Sequence, residues 1–373
     1  MADRSLKEVQ VSHHDYSVEN HPASTTVDGV DMAKAKDNVR MEHQLGAWNA
    51  MKKFKKACGY AVFFAFAAIL WGYDSQVNGG LIAAPQFRKV FGFVEPDGTI
   101  ILAARWQAAF NAASLVGSVL GSLGFGYVAE MTGRRWSLMI ASCISTGAIF
   151  LQFFAVTPGV LIAGKLINGV ALGGYLVTAC AYCSEICPVV LRGPTTAMIN
   201  LFVVIGQLLG NVLIQVFGGR NDDFAFRIPF GFQWLFSTIL IAGVWFNPES
   251  PYWYVRKGRL DKAERVLRRL TEEQDVLPWL AQIKETVRIE TEFSERASFL
   301  ECFKGTDLRR TLIPLALYTI NAFSGVQFVL GYSTYFFESK PCDTPISRKM
   351  SFADASFQSR AFPPQNPLVW VSG

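Results

Sequence analysis

The chain has 373 residues, 51% of them hydrophobic and only 17% charged, where average soluble domains carry roughly a quarter charged residues. Its 35 Lys and Arg against 30 Asp and Glu leave a net charge of +5, but the basic residues cluster between apolar blocks. That placement reads as a membrane-topology signal and excludes a nucleic-acid surface. Four His residues, at positions 13, 14, 21 and 43, leave no Ser/His/Asp, metal or nucleotide constellation, so neither an enzyme nor a cofactor is expected.

In chain order, residues 1–57 are polar, lack an early apolar core and read as a disordered tail without a cleavable signal. Apolar blocks follow at 58–80, 106–129, 136–156, 159–182, 196–218 and 228–247, each close to the ~20 residues an α-helix needs to cross a hydrocarbon core. Lys52, Lys53, Lys55 and Lys56 precede the first block, Arg134 and Arg135 follow the second, Arg192 follows the fourth, and a basic set from Arg256 to Arg310 follows the sixth. The alternate connections carry few, so the N-terminus and the 248–309 segment are expected in the cytosol. Very short connections make successive helices up-and-down neighbours.

Glycines recur inside the spans: Gly117, Gly121 and Gly124 in the second, and Gly164, Gly169, Gly173 and Gly174 in the fourth. Set inside a span and lacking the Walker spacing, they read as close-packing positions rather than a phosphate loop. Cys180, Cys183 and Cys187 form a C-x2-C-x3-C run, a pattern of metal or redox sites. With no His beside them at the end of an apolar span, they read as packing residues, and no metal site is expected. "PESP" stops the sixth span. Residues 260–270 are amphipathic, with Leu260, Ala263, Val266, Leu267 and Leu270 on one face. A seventh span lies within 310–338, and residues 339–373 contain no further one.

The stretch "GYVAEMTGRRWSL" at 126–138 is a tight charged hairpin between the second and third spans. Its order resembles the G-x-x-x-D-[RK]-x-G-R-[RK] loop of the major facilitator superfamily, with Glu130 for the usual Asp. "GYDSQVNGG" (72–80), "GKLINGVALGG" (164–174), "AYCSEICPVVLRG" (181–193), "PESPYWYVRKGR" (248–259) and "SGVQFVLGYSTYFFE" (324–338) resemble motifs of its sugar porters, especially fungal hexose and α-glucoside permeases. Lys165 stands for the usual Arg and Tyr252 for the Arg of P-E-S-P-R.

The resemblance covers about 50–338 and implies an all-α integral membrane protein. A six-helix bundle over 58–247 would be followed by a cytosolic helical linker and a seventh transmembrane helix, with the second bundle otherwise missing. It further implies sugar contacts at Asn200, Gln207, Asn321 and Gln327, and a cytosolic charge network of Gly126, Glu130, Gly133, Arg134, Arg135, Glu185, Arg192 and Glu249. Asp74 and Lys165 would be the proton-coupling pair: burial disfavours the carboxylate charge and the nearby cation favours it. The expected activity is proton-coupled uptake of a hexose or α-glucoside by alternating access, in the plasma membrane; a non-transporting sugar sensor is the rival. The expected partners are sugar, a proton and membrane lipid. A truncated form is expected not to transport by itself.

Overall fold

A computed structural model describes residues 47–82, 84–94, 100–220, 222–294 and 305–325. After a short helix α1 (Ala47–Lys53), the first span is two helices in line, α2 (Lys55–Phe66) and α3 (Ala68–Leu81). The other five long apolar helices are α5 (Ala104–Thr132), α6 (Arg134–Phe153), α7 (Pro158–Ile186), α8 (Val189–Phe217) and α9 (Phe224–Val244). The described residues thus contain six helical stretches able to cross a membrane. The first connection is longer than expected. It holds α4 (Pro85–Phe91) and a two-stranded antiparallel hairpin of β1 (Phe93–Val94) and β2 (Ile100–Ile101).

Helix limits follow local chemistry. Gly133 takes φ 99° and separates α5 from α6 without a longer loop. Pro158 opens α7, and Thr157 accepts a hydrogen bond from the Val160 amide, so the cap and the proline both favour a start there. Several helices outrun the apolar blocks because the helix continues into the interface. α8, for example, begins at Val189 rather than near 196 and carries Pro194 inside it.

Glycine sets how the helices meet. A Cβ at Gly117 or Gly121 would strike the backbone of Leu166 or Val170 on α7, and one at Gly169 or Gly173 would strike Ser114 or Ser118 on α5. Gly72 and Gly206 bring α3 and α8 together in the same reciprocal way. Lipid offers apolar side chains no hydrophobic drive to associate, so such backbone approach and its dispersion contacts hold the bundle. Gly124, expected at a close-packing position, plays no such part, and neither does Gly126, since a Cβ at either meets nothing within 4 Å.

Leu115, Val119 and Leu123 on α5 and Val204, Leu208 and Val212 on α8 are exposed, as a surface facing lipid or another bundle would be. Three helices follow α9: α10 (Pro251–Arg256), α11 (Leu260–Leu270) and α12 (Glu273–Ser294). They form a cap at one end, where Ala263, Leu267 and Leu270 are buried as their spacing required. Trp279 packs edge-on against Phe54 at 5.5 Å, and Lys53 pairs with Asp275 at 2.8 Å. The last described helix, α13 (Gly305–Phe323), starts before the expected seventh span.

Candidate functional site

Among the described residues, the interior of the bundle at mid-span holds one carboxylate, Asp74 on α3, fully buried with Lys165 of α7. The Lys165 ammonium lies 2.9 Å from Asp74 Oδ1 and 4.9 Å from the centre of the Phe230 ring. Asn168 Nδ2 and Gln233 Nε2 each donate to the same Oδ1 at 3.2 Å. Asn168 in turn donates to Gln233 Oε1 at 3.3 Å and accepts from Ser145 at 2.9 Å. Oδ2 has a weaker partner, Ser114 Oγ at 3.4 Å. A buried ion pair needs its remaining lone pairs satisfied to offset desolvation, and here three spans besides α3 contribute donors.

The structure therefore brings Asp74 and Lys165 together and adds Ser114, Asn168 and Gln233. Asn168 follows Lys165 by three residues and shares its helix face; Gln233 is an amide within an apolar run. Those two signals were present in the sequence.

One turn along α3 from Asp74, Asn78 donates to Asn111 Oδ1 at 3.1 Å and to the Phe110 carbonyl at 3.3 Å. Asn111 Nδ2 is buried without a hydrogen-bond partner. Gln76 donates to Asn211 at 2.7 Å. On α8, Asn200 is exposed and Gln207 half-buried. Their spacing with Asn211, seven residues and then four, puts all three on one helix face. Asn321 lies on α13, and Gln327 falls outside the described residues.

At the cap end a second cluster forms around Glu249. Its Oε1 accepts from the Arg134 amide at 2.8 Å, the Arg135 amide at 3.1 Å and its neighbour Ser250's amide at 3.0 Å. Arg134 and Arg135 open α6, so a carboxylate 115 residues further along the chain caps the helix, where unpaired amides and the dipole favour an anion. Burial pushes the Glu249 carboxyl above its ordinary value, and the three amides pull against that rise. Gly133 makes room: a Cβ there would run into the Glu249 carboxylate.

Glu185 completes this cluster. Arg134 Nη2 lies 2.7 Å from Glu185 Oε1 and Arg256 Nη1 3.9 Å from it, while Ser250 Oγ donates to Glu185 Oε2. Arg192 bonds to the Tyr252 hydroxyl at 3.2 Å. Glu130 is exposed and contributes its backbone carbonyl, which accepts from Trp253 Nε1 at 2.9 Å. Gly133, Arg134, Arg135, Glu185 and Glu249 thus meet in one network, with Arg192 beside it; Gly126 and the Glu130 carboxylate do not join.

A family model described as "Sugar (and other) transporter" matches residues 60–350. The chain belongs to that family. It is 30% identical over 298 residues to the general alpha-glucoside permease of Saccharomyces cerevisiae, covering 78% of this chain and 48% of the permease. It is 29% identical over 323 residues to the maltose permease MAL31 of the same yeast, covering 84% of this chain and 52% of the relative. The chain therefore spans about half the length of the curated relatives it matches.

Among solved structures, it resembles the proton:xylose symporter XylE bound to 6-bromo-6-deoxy-D-glucose. The TM-score is 0.66 at 20% identity, covering 80% of this chain and 66% of that one. An inward-open form of XylE from E. coli gives 0.58 at 21% identity, covering 74% and 63%. At these identities the likeness carries the fold, that of the major facilitator superfamily. The chain is a multi-pass membrane protein of a transporter family and not an enzyme.

Proposed function

We propose that this bundle forms one wall of a proton-coupled transporter for a hexose or α-glucoside, working by alternating access against a second bundle. The observation that carries the reading is the Asp74 site. Oδ1 is saturated by Lys165, Asn168 and Gln233, whereas Oδ2 keeps acceptor capacity beside the half-buried Ser114. Oδ2 is the atom that takes the proton. Once Asp74 is neutral, Lys165 retains the Phe230 ring as a cation–π partner, so protonation does not strand a bare charge.

The sugar contacts lie along the amide face of Asn200, Gln207 and Asn211, with the unpaired Asn111 Nδ2 as a ready donor. Amides suit a sugar because each offers a donor and an acceptor to hydroxyls. Asn321 and Gln327 belong to the same substrate assignment. The cap faces the cytosol, as does the N-terminus, and the protein resides in the plasma membrane. The Glu249–Arg134–Glu185 network stabilises one of the two access states.

Asp74→Asn tests the reading in a protein that carries this bundle with its second half, expressed in a yeast lacking its own sugar transporters. Sugar-induced alkalinisation of the medium is expected to vanish while counterflow exchange survives. Unchanged proton uptake would remove Asp74 from the mechanism. A non-transporting sensor would show neither flux in the unmodified protein.

A further inference from the structure

The cap end of the bundle carries an apolar groove that the transport reading does not use. It is a shallow, open groove between α2 and the end of α9, of about 380 Å³, lined by Lys56, Gly59, Tyr60, Phe63, Gly243, Phe246 and Asn247. Gly243 lets the Phe63 ring lie against α9, where a Cβ would collide with it. Gly59 opens the other wall, since a Cβ there would meet nothing within 4 Å. Phe246 is 81% exposed and forms the rim.

Two features show what this groove meets. Beside it, the Arg135 guanidinium lies 5.9 Å from both the Trp136 and Trp245 rings, and Trp136 and Trp245 are exposed. Such an aromatic and basic belt marks the level of lipid headgroups. Lys56 stands at that level with Lys52 and Lys55, all exposed. From Lys56 to Phe63 is seven residues, about 10 Å of helix, a descent from headgroup to acyl chain. The buried wall also holds an unsatisfied acceptor: Asn247 is 5% exposed, its Nδ2 donates to the Gly243 carbonyl at 2.8 Å, and its Oδ1 has no hydrogen-bond partner.

We propose that this groove binds one anionic glycerophospholipid from the leaflet on the cap side. The phosphate sits on the Lys56 ammonium, a headgroup hydroxyl or ammonium donates to Asn247 Oδ1, and an acyl chain runs over Gly59 and Phe63. Lys56 supplies the charge complementarity, and the glycine-opened apolar floor supplies the site for the chain. A zwitterionic choline lipid offers neither net negative charge nor a donor.

The test is native mass spectrometry of the full chain in detergent with phosphatidylserine, phosphatidylinositol or phosphatidylcholine added at equal concentration. Either anionic lipid should be retained about fivefold better than phosphatidylcholine, the effect of one lysine near a charged headgroup. Lys56→Gln should abolish that preference, and Gly59→Leu, which adds a side chain where a Cβ meets nothing within 4 Å, should abolish the bound lipid. Lys52→Gln, one turn earlier and outside the groove, should keep both. Equal retention of all three lipids, equal loss in Lys52→Gln and Lys56→Gln, or undiminished binding in Gly59→Leu would each overturn the proposal.

Discussion

Asp74 and Glu249 are both buried carboxylates, yet the molecule holds them by different means. Asp74 sits mid-span and is bound only by side chains from α5, α7 and α9. Glu249 sits at the cap end and is bound chiefly by main-chain amides at the start of α6 and α10. Side chains can change protonation state and partner, whereas backbone amides keep one geometry. The first arrangement suits a group whose charge changes during a cycle. The second suits a clamp that forms or opens as a unit when elements move, because breaking it exposes two helix ends together.

This contrast can be broken most strongly at Lys165. Lys165→Met strands the Asp74 charge in an apolar interior, and the expected loss is about 3–5 kcal/mol, read as a fall in thermal melting in detergent. Combining it with Asp74→Asn should restore most of that loss. A single Lys165→Met protein as stable as the parent would mean Asp74 is not held as an ion pair.

The clamp should yield next, at Gly133. Gly133→Ala forces a side chain into a left-handed backbone conformation and against the Glu249 carboxylate, at a cost of about 1–3 kcal/mol. Gly126→Ala, seven residues earlier in the same motif, should stay within about 0.5 kcal/mol. Equal melting of the two variants would show that the hairpin glycine is not required by its backbone.

A pH series on Glu249→Gln sharpens the comparison further. Burial raises the Glu249 carboxyl above its usual 4.5, so its folded form prefers the proton more than its unfolded form does. The stability this contributes is present below the ordinary carboxylate value and is lost as pH rises through the raised one. The melting difference between Glu249→Gln and the parent should therefore move in favour of Gln from about pH 4 upward. A difference that moves the other way would mean the amides of Arg134, Arg135 and Ser250 outweigh burial. The smallest effect belongs to Glu130→Gln, whose exposed carboxylate lies outside the network; its melting should stay within about 0.5 kcal/mol of the parent.

Much of this architecture was legible in the linear order of residues. Apolar blocks of spanning length located the six long helices, because lipid forces every backbone polar group into helical hydrogen bonds. Glycines of α5 and α7 read as positions of close backbone approach, but only the structure joins Gly117 and Gly121 to Gly169 and Gly173 as one pair of helices. The helix ends were less legible: α6 starts at Arg134 and α8 at Val189, since interfacial polar residues extend a helix without extending its apolar run. The hairpin of β1 and β2 carried too few residues to show a period.

The candidate site divides in the same way. Asp74 and Lys165 stand out in sequence because charge inside a span is costly and must be matched. Their partners are less legible: Asn168 and Gln233 carry weak signals and Ser114 none, since a neutral polar residue in a span is cheap enough to have many uses. The resemblance groups Arg134 and Arg135 with Glu130, Glu185 and Glu249 without saying which pairs with which; Arg134 takes Glu185 and the α6 amides take Glu249, residues 51 and 115 positions away, while the exposed Glu130 carboxylate stays outside. Composition and spacing by themselves determined that the chain spans a membrane as a helical bundle, because hydrocarbon acts on each segment separately. Only the packed structure decided which donors surround Asp74 and which carboxylate caps α6, because those contacts join distant segments whose orientation is set by glycine-to-backbone approach.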